Sequence, residues 1–132
     1  MEALPYLSAV INESMRLYPP APFMFRKGAD KRPYVIAIWA MQRHPRFWDR
    51  PHEFRPERWL TRSETPAYMP FGLGARVCIA RRFSLIESRG ALIEVVRRYR
   101  LDTSGPAPKP TRTIMTRPAR DIRINVSSRQ AR

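Results

Sequence analysis

The single cysteine of the chain, Cys78, lies in a loop whose residue types could make it a metal ligand. Gly72 and Gly74 permit a tight loop that brings its backbone against a flat cofactor. Cys78 also precedes a predicted helix, where the terminal N–H groups and the helix dipole favour a thiolate. Arg76 could pair with a carboxylate on the same cofactor. A lone cysteine is more often a small buried hydrophobic residue, so these surroundings carry the prediction of a thiolate ligand.

Glu13 and Arg16 form a second pair of interest, because residues three apart lie on one face of a helix. Taken alone, such a pair is a surface ion pair that contributes little to stability. Here it is followed by Leu-Tyr-Pro-Pro and, much later, by the Pro-Glu-Arg-Trp sequence that contains Arg58. His44 has no partner at metal-ligand spacing, and we interpret it as structural or exposed.

Two segments with helical periodicity would position these residues. Residues 6–18 carry apolar side chains at helical spacing, and Pro19 and Pro20 end the pattern. A second helix is predicted from residue 79 to about residue 99. It is apolar over much of its circumference, which is typical of a helix buried in a larger body. Its apolar and small residues are Ile79, Phe83, Leu85, Ile86, Gly90, Leu92, Ile93 and Val96.

Short strands and a long irregular middle complete the predicted architecture. Residues 34–39 form an apolar run that suits a buried strand. Residues 122–126 alternate in the two-residue period of a strand, and residues 112–117 could pair with it through a turn near Pro118. Residues 42–70 show little periodicity and are interpreted as an ordered loop region with a helical turn or two. The predicted class is α+β, mainly α with small β hairpins.

Composition restricts the classes of protein that the chain could be. Hydrophobic residues make up 43% of the 132 residues, enough for a core. The net charge of +14 suits nucleic acid, but the basic residues are scattered. A solvated basic surface or a docking face for an acidic protein explains them equally well. We find no membrane-spanning stretch, secretory signal or possible internal disulfide, and we expect a cytoplasmic protein.

Residues 71–80, Phe-Gly-Leu-Gly-Ala-Arg-Val-Cys-Ile-Ala, resemble the haem-binding loop of the cytochrome P-450 family, with Ala80 in place of the last glycine of that motif. The glutamate–arginine helix and the Pro-Glu-Arg-Trp sequence also resemble that family and stand in its order. The resemblance covers residues 4 to about 126. It implies that the whole chain, residues 1–132, is the C-terminal part of the family's fold, with two main helices, a long ordered loop region and short strands.

The resemblance assigns roles to particular residues. It implies that haem b, iron protoporphyrin IX, binds through the Cys78 thiolate. Arg76 would contact one propionate of the haem, and Arg26 matches by context an arginine that often meets the other. Glu13, Arg16 and Arg58 would form a largely buried structural triad that fixes the loop before the haem site. The implied haem-binding residues are Arg26, Phe71, Gly72, Gly74, Arg76, Cys78 and Ala80.

The activity implied by the family is insertion of one oxygen atom from dioxygen into a small apolar substrate. Electrons would come from a ferredoxin or a flavoprotein reductase, and Arg81 and Arg82 would suit an acidic partner. Residues 113–115 would lie near substrate. The segment between Lys27 and Ile38 is shorter than the family's hairpin, which would alter the wall of the substrate pocket.

The family's distal helix, which guides protons to bound dioxygen, has no counterpart in these 132 residues. We therefore expect the isolated chain to be poorly soluble, to hold haem weakly and to lack turnover unless an upstream chain complements it. The alternatives to a monooxygenase are a catalytically incompetent haem-binding remnant and, less favoured, a basic nucleic-acid-binding protein.

Overall fold

The computed structural model describes residues 4–61, 65–103, 106 and 109–129. Its elements confirm the predicted α+β class, with helices joined to three small antiparallel sheets. The helices are α1 (Pro5–Leu17), α2 (Ile38–Met41), α3 (Arg58–Thr61) and α4 (Arg81–Arg98). The strands are β1 (Met24–Lys27), β2 (Pro33–Ile36), β3 (Tyr99–Asp102), β4 (Pro110–Arg112), β5 (Thr116–Pro118) and β6 (Asn125–Ser128).

Helix α1 carries much of the buried core, and its bounds match the predicted helix within one residue. Pro5 starts the helix, where the missing N–H of proline has no intrahelical partner to lose. The helix ends just before the two prolines. Its buried face combines apolar residues with Glu13 and Arg16, and the core is completed from the loop region. The buried apolar residues are Ala9, Ile11, Leu17, Ile38, Trp48, Ala67 and Met69.

The first hairpin pairs β1 with β2, from Met24↔Ile36 to Lys27↔Pro33. The prediction of one buried strand over residues 34–39 was wrong in two respects. The strand ends at Ile36 and is largely exposed, because a two-stranded hairpin leaves most of its surface uncovered. The chain then enters α2, whose first residue, Ile38, is fully buried. The apolar run therefore serves two elements.

The region between α2 and the cysteine loop is irregular but ordered, as predicted, with α3 as its helical turn. Aromatic rings give it a local core. The ring centroids of Trp48 and Trp59 are 5.6 Å apart, and those of Trp59 and Tyr68 are 4.4 Å apart. Trp48 is almost completely buried. This cluster packs a segment that has little regular secondary structure of its own.

Helix α4 begins two residues later than predicted and contains no buried residue. Phe83 remains 67% exposed, and Ile86 is also exposed. The described part of this chain thus does not supply the burial that the apolar circumference of α4 suggests. Leu85, Leu92 and Ile93 are half-buried, whereas Phe83, Ile86 and Val96 are exposed. None of the helices in the described ranges is long and apolar enough to cross a bilayer.

The predicted pairing of the C-terminal strands was wrong. Strand β5 pairs with β4, because a short turn closes that local hairpin at low entropic cost. The last strand begins at Asn125 and pairs with β3, which continues directly from α4, in the register Leu101↔Val126. The alternating residues Ile122 and Ile124 precede this strand and are exposed.

Candidate functional site

The cysteine loop is closed by backbone hydrogen bonds. The Cys78 N–H donates to the carbonyl oxygen of Phe71 at 2.9 Å, and the Gly72 N–H donates to that of Met69 at 3.0 Å. Gly72 and Gly74 have φ angles of 74° and 72°, which a residue with a Cβ adopts only with strain. The loop therefore needs both glycines, and it presents Cys78 with an exposed side chain.

Strand β1 packs against this loop and brings a predicted haem-binding residue to it. A Cβ atom added to Gly72 would lie 3.1 Å from Cε of Met24 and 3.6 Å from Nη2 of Arg26. Gly72 itself is buried. The alternation of side chains along a strand places Met24 and Arg26 on the same face of β1. Arg26, which was matched to a family arginine by its sequence context, therefore lies beside the cysteine loop.

The remaining loop residues lead into α4. Arg76 is exposed and ends a short 3-10 turn over Gly74–Arg76. Ala80 is the N-cap of α4 with a φ of −85°, an ordinary value, so alanine fits there without backbone strain. The Arg81 N–H donates to the carbonyl oxygen of Cys78 at 3.2 Å. Cys78 therefore lies just before the first turn of α4.

Glu13, Arg16 and Arg58 lie together in a buried ion network. Glu13 and Arg16 are both 0% exposed. Arg16 donates from Nε and Nη2 to the two carboxylate oxygens of Glu13, each at 2.8 Å. Nε of Arg58 donates to Oε1 of Glu13 at 3.2 Å. Two further donors complete the set: the backbone N–H of Arg55 and the indole N–H of Trp59, each at 2.9 Å.

This environment keeps Glu13 ionised. Burial raises the pKa of its carboxyl group, but hydrogen bonds from Arg16, the Arg55 backbone and Trp59 more than offset that effect. The net result is a lowered pKa for Glu13. Burial also disfavours the charged form of Arg58 and lowers the pKa of its guanidinium, and the Glu13 carboxylate opposes that shift. The network is a charged, hydrogen-bonded assembly inside the core.

The arginines of the network also fasten the irregular region to α1. Nη1 of Arg16 donates to the carbonyl oxygens of Gln42 and Pro51, each at 2.8 Å, and Nη2 donates to that of Glu53 at 3.1 Å. Nη1 of Arg58 donates to the carbonyl oxygen of Asp49 at 2.8 Å. A segment with few hydrogen bonds of its own thereby gains partners for its buried carbonyl groups.

Sequence reasoning missed several members of this assembly. Gln42 is fully buried, and Trp48 lies under the guanidinium of Arg16, whose Cζ is 5.0 Å from the ring centroid. Trp59 stands next to Arg58 in the sequence, but nothing in the sequence indicates that its indole bonds to Glu13. An isolated glutamine in a region without periodicity carries no signal of burial. His44 is exposed and accepts a hydrogen bond from the Arg46 N–H, consistent with its interpretation as structural or exposed.

The residues of the loop fit a haem by the chemistry of their side chains. Within the described ranges, no group of three or more His, Cys, Asp or Glu side chains could hold a metal ion. A haem would need one thiolate from the protein as a ligand to its iron, because the nitrogens of the macrocycle would supply most of the other ligands. Cys78 provides an exposed thiol, and Arg26 and Arg76 provide guanidinium groups that suit carboxylates.

Comparison with known proteins identifies the class to which this fold and site belong. A family model described as Cytochrome P450 matches residues 1–126. Cytochrome P450 4d2 of Drosophila melanogaster is 29% identical over 96% of this chain and 28% of its own length. Cytochrome P450 3A27 of Oncorhynchus mykiss is 33% identical over 95% of this chain and 28% of its own length. The crystal structure of the cytochrome P450DA heme domain mutant N190F/V356L/A486E superposes with a TM-score of 0.82 at 26% identity, covering 94% of this chain and 32% of that chain.

The fold is that of cytochrome P450 proteins, and the chain belongs to the cytochrome P450 family. It spans just over a quarter of the length of the curated relatives that it matches.

Proposed function

We propose that this chain is the thiolate-bearing part of a haem-dependent monooxygenase and that Cys78 is the ligand of the haem iron. The observation that carries the proposal is an exposed cysteine in a loop closed by the Cys78–Phe71 backbone hydrogen bond. Gly72 and Gly74 shape that loop through positive φ angles. An exposed side chain on a fixed backbone is what a ligand to an incoming cofactor requires.

The chain's own residues would perform two tasks. The closed loop fixes the backbone from which the exposed Cys78 side chain projects. Arg26 and Arg76 would hold the two carboxylates of the cofactor. When bound, the haem supplies reduction of dioxygen and insertion of one oxygen atom into a small apolar substrate, with thiolate ligation favouring O–O cleavage.

The proposed electron donor is an acidic ferredoxin or flavoprotein. Arg81 and Arg82 are exposed at the start of α4, three and four residues after the cysteine. A positive surface beside the proximal ligand would steer an acidic partner to the side of the haem that the thiolate occupies. On the substrate side, the exposed residues Ile114 and Met115 at the turn between β4 and β5 would contact an apolar molecule.

The second candidate is a chain of these 132 residues that binds haem without turnover. The exposed apolar side chains of α4, including Phe83 and Ile86, favour it, because this surface needs a covering that the described part of the chain does not provide. A complementing upstream chain would cover that surface and restore the first candidate. A nucleic-acid-binding role rests on net charge alone and is not favoured.

The proposal is tested by a reduced-plus-carbon-monoxide difference spectrum of the purified chain reconstituted with haem. We expect the Soret band typical of thiolate-bound iron, lost in Cys78→Ala. The matched control is Leu73→Ala, an exposed position in the same loop that should keep the band. Dioxygen consumption with a reductase then separates the two candidates. Absence of the band from soluble wild-type chain would contradict Cys78 ligation by this chain, and salt-dependent DNA retention without it would favour the nucleic-acid role.

A further inference from the structure

Gln42, which follows α2, links the buried end of α1 to the irregular region. The last carbonyl groups of a helix have no intrahelical partner. The side-chain amide Nε2 of Gln42 donates to the carbonyl oxygens of Met15 and Arg16, each at 3.0 Å. The guanidinium of Arg43 donates to the next carbonyl, that of Leu17. Two adjacent residues outside α1 thus satisfy three carbonyl groups in its last turn.

The other end of the same side chain reaches towards the cysteine loop. Oε1 of Gln42 accepts a hydrogen bond from the backbone N–H of Met69 at 3.0 Å. The carbonyl oxygen of Met69 in turn accepts from the Gly72 N–H at 3.0 Å, where the loop turns. Beyond this turn, Phe71 accepts from the Cys78 N–H. A continuous set of hydrogen bonds therefore runs from α1 through Gln42 to the start of the loop.

The same residue is tied to the ion network by its backbone. The carbonyl oxygen of Gln42 accepts from Nη1 of Arg16 at 2.8 Å, and its N–H donates to Ile38 at 2.9 Å. Gln42 is 0% exposed, so no water could replace a lost partner without a rearrangement of the core. Both ends of its amide are needed, because an apolar side chain would leave the Met69 N–H and two helix carbonyls unpaired.

We propose that Gln42 is a positioning residue for the cysteine loop, holding Met69 and the turn at Gly72 in register with the buried end of α1. This inference rests on the proposed function, in which Cys78 is the ligand of the iron. The Gln42 side chain bonds to α1 and to Met69, which precedes the loop, rather than to Cys78 itself. It acts through the backbone of Met69, and its effect on the loop is distinct from its effect on α1.

The two effects can be separated with two substitutions at one position. Gln42→Met removes the donor and the acceptor together. Gln42→Glu keeps an acceptor for the Met69 N–H but, as a buried protonated carboxyl, has only one donor in place of the amide's two for the carbonyls of α1. A role in positioning the loop predicts that the glutamate variant retains protection at Gly72 and Cys78, and that the methionine variant loses it.

The experiment is residue-resolved amide hydrogen exchange on the 132-residue chain without haem. In Gln42→Met, exchange of the Gly72 and Cys78 amides should rise about ten- to hundred-fold, from one unsatisfied buried hydrogen bond. The reference is the Gly28 amide in the β1–β2 turn, which bonds to Arg32 at 2.9 Å and should change much less. A rise shared equally by this reference would indicate general unfolding and overturn the proposal.

The matched control is Tyr68→Phe, adjacent to Met69. It deletes the 3.1 Å hydrogen bond from the Tyr68 hydroxyl to Asn12, which also joins this segment to α1, and it leaves Gln42 untouched. If Tyr68→Phe exposes the Gly72 and Cys78 amides as much as Gln42→Met does, general docking explains the effect and the proposal fails.

If the methionine variant does not fold, Gln42→Asn, shorter by one methylene, is measured by the same criteria. Because exchange is measured without haem, its outcome is independent of the spectrum that decides whether Cys78 ligates iron. A wild-type chain that binds no haem would overturn the proposed function. A rise in exchange in the Gln42 variants that is equal at Gly28, Gly72 and Cys78 would overturn only the role of Gln42.

Discussion

Replacement of Glu13 by glutamine should destabilise the fold more than any other single charge removal considered for this chain. Glu13 accepts hydrogen bonds from Arg16, Arg58, the Trp59 indole and the Arg55 backbone. Glutamine has almost the same shape, but it carries no charge and offers only one acceptor oxygen. Arg16, which is 0% exposed, would then be a buried cation without a carboxylate.

The magnitude follows from that unpaired charge. Breaking a buried ion pair by removing one partner costs about 3–5 kcal/mol. A natural domain has an unfolding free energy of about 5–15 kcal/mol, so a loss of about 3–5 kcal/mol in Glu13→Gln would remove about a fifth of it or more. With a urea slope of about 2 kcal/mol/M, the midpoint should fall by about 2 M. The assay is equilibrium urea unfolding followed by tryptophan fluorescence, which reports on Trp48 and Trp59 directly.

The matched control is Glu94→Gln on the exposed face of α4. Glu94 also pairs with two arginines, Arg97 at 3.3 Å and Arg98 at 2.9 Å, but its side chain is half exposed. Water and salt screen such pairs, so the urea midpoint should barely move. If the urea midpoint falls equally in Glu13→Gln and Glu94→Gln, the reasoning is refuted that burial of the ion pair, rather than pairing alone, sets the contribution of Glu13 to stability.

Three further predictions concern the network, the loop and α4. The folded-state pKa of Glu13 lies below its ordinary value of 4.5. Its contribution to stability is therefore fully present above pH 4.5 and is lost as the pH falls through the folded pKa. The difference in urea midpoint between wild type and Glu13→Gln should shrink over that range. Gly72→Ala should lower the melting temperature more than Gly74→Ala, because both have positive φ but only Gly72 also meets Met24 at 3.1 Å; equal shifts would contradict this. Phe83→Lys should reduce aggregation measured by light scattering, because Phe83 is 67% exposed, and unchanged scattering would exclude this residue from the aggregating surface.

The sequence predicts best where one element is determined by local signals. Helix α1 has clear periodicity and a proline at each end, and its bounds were predicted within one residue. The cysteine loop was recognisable because its glycines, arginine and cysteine stand at fixed spacing, and positive φ angles at Gly72 and Gly74 explain the glycines. Glu13, Arg16 and Arg58 could be grouped only through resemblance, since 42 residues separate Arg16 from Arg58 along the chain.

The sequence did not predict which strands pair with each other, because several segments with strand character were possible partners. Residues 112–117 and 122–126 both had strand character, but periodicity does not specify partners. The actual partner of β6 is β3, the segment directly after α4, for which no strand was predicted. Gln42 was missed for a related reason: its burial arises from three partners in α1 and the Met69 segment, none near it in the chain. Such contacts become visible only when the fold is known.

The arrangement separates the residues that hold the site from the residues that would do its chemistry. The charged side chains of Glu13 and Arg16 are fully buried in the core, whereas the Cys78 side chain is exposed. The hydrogen bonds through Gln42 and Met69 connect the two regions. A buried charge network is costly to assemble, but once satisfied it permits few alternative arrangements. An anchor of this kind suits this loop, because its two glycines are conformationally permissive and residues 73–80 are exposed. Under the proposed function, substitutions in the network should therefore act on haem binding through the position of the loop, and those at Cys78 through loss of the proposed ligand.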